Sequence, residues 1–271
     1  MNSVSLKSPA KINLYLEILD KRSDGFHNLK SAFQLIDLYD EIQISIKDSK
    51  EVTILCEPAV IDLKDNIIFK AIEMLKKKFN INKGVQIILK KNIPIGAGLG
   101  GGSSNAASVL VALNKLWELN ISDLELLQIG KDLGADVPFF INGKNAFVSG
   151  IGDKFELKKS EKSKYVLISP NINISTGEMF EYYSNNNSSL SVKEASQNSF
   201  LESVKAKYPE INTFYKKNIS LFNICLTGTG STMFIAYKDS NELEKILQII
   251  PINWRFFLTE AIQYSPLEDM K

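Results

Sequence analysis

Between Pro94 and Leu110 the chain reads PIGAGLGGGSSNAASVL, with glycines at 96, 98, 100, 101 and 102 and two serines directly after them. Glycine lets the backbone take positive φ and lets an anion approach peptide N–H groups without Cβ obstruction. An apolar run with helical spacing follows. A helix start adds unpaired N–H groups and the positive end of its dipole. Ser103 and Ser104 add hydroxyls for a phosphate or Mg²⁺, and either is the natural N-cap. The chemistry that fits is the holding of a phosphate compound. A Walker A loop needs a lysine before its Ser or Thr, and here Gly102 is followed by Ser103. Gly96, Gly98 and Gly101 match the spacing of a dinucleotide fingerprint. That fingerprint needs a second strand after its helix, ending in an acidic residue. The stretch ELNISDLELLQIG after Trp117 reads instead as a turn and a second helix. His27 is the only histidine, and no G-x-S-x-G elbow accompanies it.

The rest of the composition narrows the class. The chain has 271 residues, 44% hydrophobic and 23% charged, with a net charge of +1. No global field draws it to nucleic acid or an anionic membrane. Arg22 and Arg255 are its only arginines, so bidentate readout of guanines is scarce. Cys56 and Cys225 lie far apart in apolar settings, which predicts a reduced, buried pair. No Cys/His cluster suits structural zinc. The N-terminus lacks an apolar signal core, and no run approaches a membrane span of ~18 residues. The expectation is a soluble cytoplasmic protein, monomer or homodimer, with neither nucleic acid nor membrane as partner.

Elements that must position the loop follow from periodicity. Residues 4–46 alternate with period two; Ile12, Leu14, Leu16 and Ile18 share one strand face, and Asn13, Tyr15 and Glu17 the other. RSDGFHN is a turn. Ile68, Ile72 and Leu75 mark a helix that Asp62 or Asp65 can cap, and GVQIILKKN is a strand. Ala106, Leu110, Leu113 and Trp117 form a buried helical stripe, and Ser122 caps the next helix, which ends near Gly134. Pro138 favours an extended Val137, so FFINGKNAFVSGIGDKFEL reads as a strand pair turning at Asn142-Gly143. SEKSK at 160–164 is a polar break, dividing the chain into 1–160 and 161–271. Beyond it come a strand, a helix from about Thr176, a polar surface loop at 184–199, two short helices, two short strands around LTGTGS, a capped helix at 240–249 and a final strand, WRFFLT. Mixed and clustered elements of this kind fit α+β better than regular βαβ alternation.

PIGAGLGGGSSNAA resembles the second motif of the GHMP kinases (galacto-, homoserine, mevalonate and phosphomevalonate kinases). SPAKINLYLEI resembles their first motif and LTGTGSTMF their third. Three motifs in order span residues 8–234. The resemblance implies a two-domain fold, with a left-handed β-α-β crossover in the first domain, a ferredoxin-like second domain and the active site between them. It implies ATP as cosubstrate, with Mg²⁺. The loop Pro94, Ile95, Gly96, Ala97, Gly98, Leu99, Gly100, Gly101, Gly102, Ser103 and Ser104 would hold the triphosphate, and Asn66 the adenine. Lys11 and Asp136 would be the catalytic pair, with Asp136 in GADVP as base. RSDGFHNL and LGADVPFF narrow the resemblance to members whose substrate is a cytidine diphosphate-linked methylerythritol. In those members Phe26, His27 and Phe180 would meet the cytosine, and Asn13 and Thr176 the rest of the substrate. Position 26 departs from the usual Tyr; Phe keeps the stacking and loses a hydroxyl. Gly228, Gly230 and Ser231 would shape the cleft. Metal ligands stay open among Ser103, Ser104 and Asp136. Rival readings are a kinase of another small alcohol, of homoserine or mevalonate type, and a non-catalytic nucleotide- or RNA-binding relative.

Overall fold

The computed structural model describes residues 2–58, 66–186 and 197–270. Two long strands, β1 (Ser3–Lys21) and β2 (His27–Lys47), form an antiparallel hairpin around the predicted RSDGF turn. The other edge of β2 is shared. Its C-terminal end pairs with β4 (Gly84–Lys90), and residues 31–33 pair with β5 (Ala146–Ser149). β3 (Val52–Glu57) runs parallel to β4, joined to it through α1 (Ile67–Phe79), and β6 (Lys154–Leu157) closes the far edge. The expected single apolar face of β1 is not realised. A register shift between Asn13 and Tyr15 interrupts the alternation, so Ile12 and Leu16 enter different cores.

The helices α2 (Gly101–Leu116), α3 (Asp123–Leu133) and α4 (Val137–Asn142) follow in succession without an intervening strand. That excludes the dinucleotide fold, as the sequence indicates. Burial extends beyond the expected stripe on α2: residues 104–113 are all buried, because the helix packs against β1, α1 and α4 at once. Three local expectations need correction. Asn66 caps α1, its side chain accepting from the Ile68 amide, while Asp62 and Asp65 lie outside the described residues. Gly100 is the N-cap of α2, so Ser103 and Ser104 fall inside its first turn. The strand assigned to VPFFIN is α4. Pro138 suits a first helical turn, where its missing N–H costs nothing, and Gly143 in the left-handed region ends the helix. A short apolar run does not separate buried strand from buried helix by periodicity. The strand pair is therefore shorter than expected and turns at residues 150–153.

The second sheet has the order β10 (Arg255–Glu260), β7 (Lys164–Ser169), β9 (Met233–Tyr237), β8 (Cys225–Leu226), all antiparallel. With α5 (Thr176–Asn186), α6 (Leu201–Lys207) and α7 (Pro209–Asn218) after its first strand and α8 (Ser240–Ile249) before its last, this is the ferredoxin-like β-α-β-β-α-β plan. Asp239 caps α8 through the Glu242 amide. Of the polar stretch 184–199, residues 187–196 lie outside the described residues.

A small third core, including Ala10, Ile12, Leu99, Leu167 and Phe234, joins the two sheets, and Leu16 and Ile18 of β1 pack into the core of the second. Neither cysteine forms a disulfide: Cys225 is buried, its thiol pushed up to about 11 by burial, whereas Cys56 is only half-buried, because β3 is an edge strand. No helix among the described residues is long and apolar enough to cross a membrane. Phe139 is fully buried in α4, edge-on to both Phe33 and Phe140. Phe139→Ala is expected to lower unfolding free energy by about 3–5 kcal/mol in a denaturant titration.

Candidate active site

A cleft of about 480 Å³ runs between the two sheets. Residues 94–103 form one wall. The loop is held by its carbonyl oxygens. Gly96 O accepts from Ile174 N (2.8 Å), Ala97 O from Thr232 N (3.3 Å), Leu99 O from Lys11 N (3.0 Å) and Gly100 O from Ser104 N (2.9 Å). Gly98 O accepts from the Thr227 hydroxyl (3.2 Å), which in turn accepts from Asn13 N (3.0 Å). Five consecutive carbonyls are thereby satisfied. Among the described residues, no peptide N–H from Gly98 to Ser103 donates within the protein. Gly98 shows why glycine is required. Its φ is +76°, and a Cβ there would stand 2.2 Å from Thr227 O. A row of free amides at a helix start is an anion cradle.

Lys11 and Asp136 face each other across the same cleft, with Nζ and Oδ2 3.4 Å apart. Lys11 is 3% exposed and is not the solvated lysine that its strand position alone suggests. Its ammonium donates to Asn13 Oδ1 (2.5 Å) and lies 4.6 Å from the centre of the Phe33 ring. Asp136 occupies the N-cap position of α4, yet its side chain makes no capping bond. The carboxylate is spent on Lys11 instead, and its side chain keeps 31% exposure toward the cleft. Asn13 is fixed by donating to Ser31 Oγ (2.9 Å).

Thr176, at the start of α5, lies 3.4 Å from Thr229 through the two hydroxyls, and both residues line the cleft with Phe180 and Asn66. Asn66 spends its Oδ1 on capping α1. His27 stands beside Phe180, outside the cleft lining. Its ring is 5.8 Å from Phe180 and edge-on to Tyr183 at 6.4 Å, and Nε2 is 3.2 Å from Ser184 Oγ. Burial and then the Lys21 charge lower its pKa below the ordinary histidine value, against a weaker opposing effect of Asp20. Phe26 is not brought to this group: it is 60% exposed and makes no ring contact among the described residues. Ser104 does not reach the cleft either. It is fully buried, and its hydroxyl accepts from Ser8 Oγ (2.8 Å). Of the third-motif residues, Gly228 lines the cleft, while Ser231 is buried and bonded to Ile172 O at 2.5 Å.

Sequence reasoning missed Lys91, Thr227, Thr229 and Ser184. Lys91 lines the cleft only three residues before Pro94, a signal hidden by its place in an ordinary KKN strand end. Thr227 lies inside the quoted LTGTGS stretch, but its tie to β1 depends on contacts across more than 200 residues. No group of three or more His, Cys, Asp or Glu among the described residues is arranged to hold a metal.

Residues 66–144 match the GHMP kinases N terminal domain. A Marinomonas sp. protein named 4-diphosphocytidyl-2-C-methyl-D-erythritol kinase is 36% identical over 98% of this chain and 90% of its own. One of the same name from Francisella tularensis is 38% identical over 95% of this chain and 96% of its own. The crystal structure of a 4-(cytidine 5'-diphospho)-2C-methyl-D-erythritol kinase, at 24% identity, superposes with a TM-score of 0.78 over 95% of this chain and 99% of that one. That structural likeness carries the fold, and identity above 35% over nearly the whole chain carries the family. The chain belongs to the 4-diphosphocytidyl-2-C-methyl-D-erythritol kinases, within the GHMP kinase fold.

Proposed function

We propose that this chain transfers the γ-phosphoryl group of ATP to the 2-hydroxyl of 4-diphosphocytidyl-2-C-methyl-D-erythritol, a step toward isoprenoid precursors by the non-mevalonate route. The observation that carries the proposal is the placing of unpaired loop amides and the Lys11–Asp136 pair in one cleft, with Phe180 in the same lining and His27 beside it. Phosphoryl transfer asks mainly for positioning and charge neutralisation. In this reading the amides of residues 98–103 receive the triphosphate and Asn66 lies toward the adenine, all within residues 1–160. Residues 161–271 complete the cleft with Thr176, Phe180 and Thr229. The cytosine lies against Phe180 and His27; Phe26 would add a second face if the 22–27 turn folds inward on binding. Asp136 orients the acceptor hydroxyl and takes its proton. Lys11 holds Asp136 in place and stabilises negative charge on the attacking oxygen.

Mg²⁺ belongs to the same reading. It commonly uses one or two carboxylates and the nucleotide phosphates rather than an all-protein cage, which agrees with the lack of an acidic cluster among the described residues. Asp136 and Ser103 both line the cleft and are the residues that would hold it. When bound it neutralises phosphate charge. A cytoplasmic location completes the reading.

Purified protein given ATP and the cytidyl substrate is expected to release ADP. Turnover of homoserine or mevalonate with none of the cytidyl substrate is the result that overturns the assignment. Asp136→Asn keeps the side-chain shape and removes the base; kcat is expected to fall about 10²–10⁴-fold while ATP dissociation changes little, as read by steady-state kinetics and nucleotide titration. The lowered pKa of His27 sets a pH dependence. At pH 7 the ring is neutral, with one donor and one acceptor, and protonation converts both nitrogens to donors. KM for the cytidyl substrate is expected to be flat above pH 7 and to rise as pH falls below the ordinary histidine value. His27→Gln should abolish that rise.

A further inference from the structure

Behind the glycine loop lies a carboxylate that the reaction does not use. Asp40, on β2, is fully buried and does not line the cleft. A buried charge is costly unless paired and hydrogen-bonded, and Asp40 has four donors. Its Oδ1 accepts from the amides of Asn92 (2.8 Å) and Ile93 (2.9 Å). Its Oδ2 accepts from the Lys91 ammonium in a short ion pair and from Asn105 Nδ2 (2.9 Å). Lys91 also donates to Asn105 Oδ1 (3.0 Å). Residues 91–93 lead into the loop at Pro94, and Asn105 stands on α2, which leads out of it. One carboxylate therefore ties both shoulders of the loop to β2. Asn105 Nδ2 extends the tie to Ser8 Oγ (3.1 Å) on β1.

Lys91 sits against the cradle itself, since a Cβ on Gly101 would come 3.2 Å from Nζ. A cation beside a helix N-terminus opposes the helix dipole. Asp40 neutralises that cation and limits where it can go. We infer that Asp40 is a positioning residue for the nucleotide loop, acting through Lys91 and the amides of Asn92 and Ile93. The inference rests on the reading of the loop as the ATP site. Its consequence is selective, because the bonds of Asp40 reach residues 91–93 and Asn105 and none of them reaches Asp136, Phe180 or His27.

The test measures dissociation of ATP by titration, KM for the cytidyl alcohol, and thermal unfolding, in wild type, Asp40→Asn, Lys91→Met and the double variant. Asp40→Asn keeps an oxygen for the two amides and removes the charge. Lys91→Met removes a buried cation and leaves Asp40 three hydrogen bonds, so it keeps the test alive if Asp40→Asn does not fold. Each single variant is expected to weaken ATP binding about tenfold with the alcohol KM within about twofold, since small displacements of a positioning group cost on that scale or more. The double variant is expected to match the singles rather than multiply them, as members of one network do. ATP binding unchanged or tightened in either folded single variant overturns the inference, and so does a parallel rise of both substrates' constants. If wild type itself fails to bind ATP, the kinase reading falls and this inference with it; equal binding by wild type and variants overturns this inference alone.

Discussion

The direction in which the peptide units of residues 96–100 face governs the rest of the cleft. Each peptide has one donor and one acceptor pointing roughly opposite ways, so anchoring the carbonyls decides where the amides go. Here the anchors come from β1, from the turn after Cys225, from Ile174 and from Ser104 of α2. Glycine makes the arrangement possible, with Gly96, Gly98 and Gly100 all at positive φ. The cradle is thus assembled by both halves of the chain, though all its amides come from one loop.

Two lysine–aspartate pairs flank that loop, and burial separates their tasks. Lys91–Asp40 is sealed, with every carboxylate lone pair directed at an internal donor. Such a pair fixes geometry, and breaking one side leaves an uncompensated charge. Lys11–Asp136 is sealed on the lysine side only. Its carboxylate keeps an open edge, with the Asn13 amide and the Phe33 ring holding the ammonium from behind. That open edge leaves the Asp136 carboxylate accessible from the cleft.

The legible parts of the sequence were those set by local physics. The cap at Ser122, the capped helix at 240–249, the Asp-Gly turn of the first hairpin and the four strands of the second sheet follow from neighbours a few residues apart. The two misread strands share one cause. VPFFI is apolar throughout, so no period distinguishes helix from strand, and the packing of α4 against α2 and α3 settles it. Likewise the alternation along β1 ends at a register shift that only its pairing with β2 imposes.

For the site, the sequence alone singled out residues 94–104 as a candidate phosphate loop, because five glycines before an apolar helix leave few other uses. It also singled out Lys11, Asn13 and Asp136, through motifs whose residue types survive without any view of distance. Tertiary structure decided the remainder. It turned Ser104 inward to Ser8, left Phe26 in solvent, brought Ser184 to His27 and Thr227 to Asn13, and placed Asp40 behind Lys91. Each of these depends on which buried donors and acceptors meet across separate elements. Hydrogen bonds of that kind leave no period and no spacing in the chain; they exist only once the two sheets have closed on their shared core.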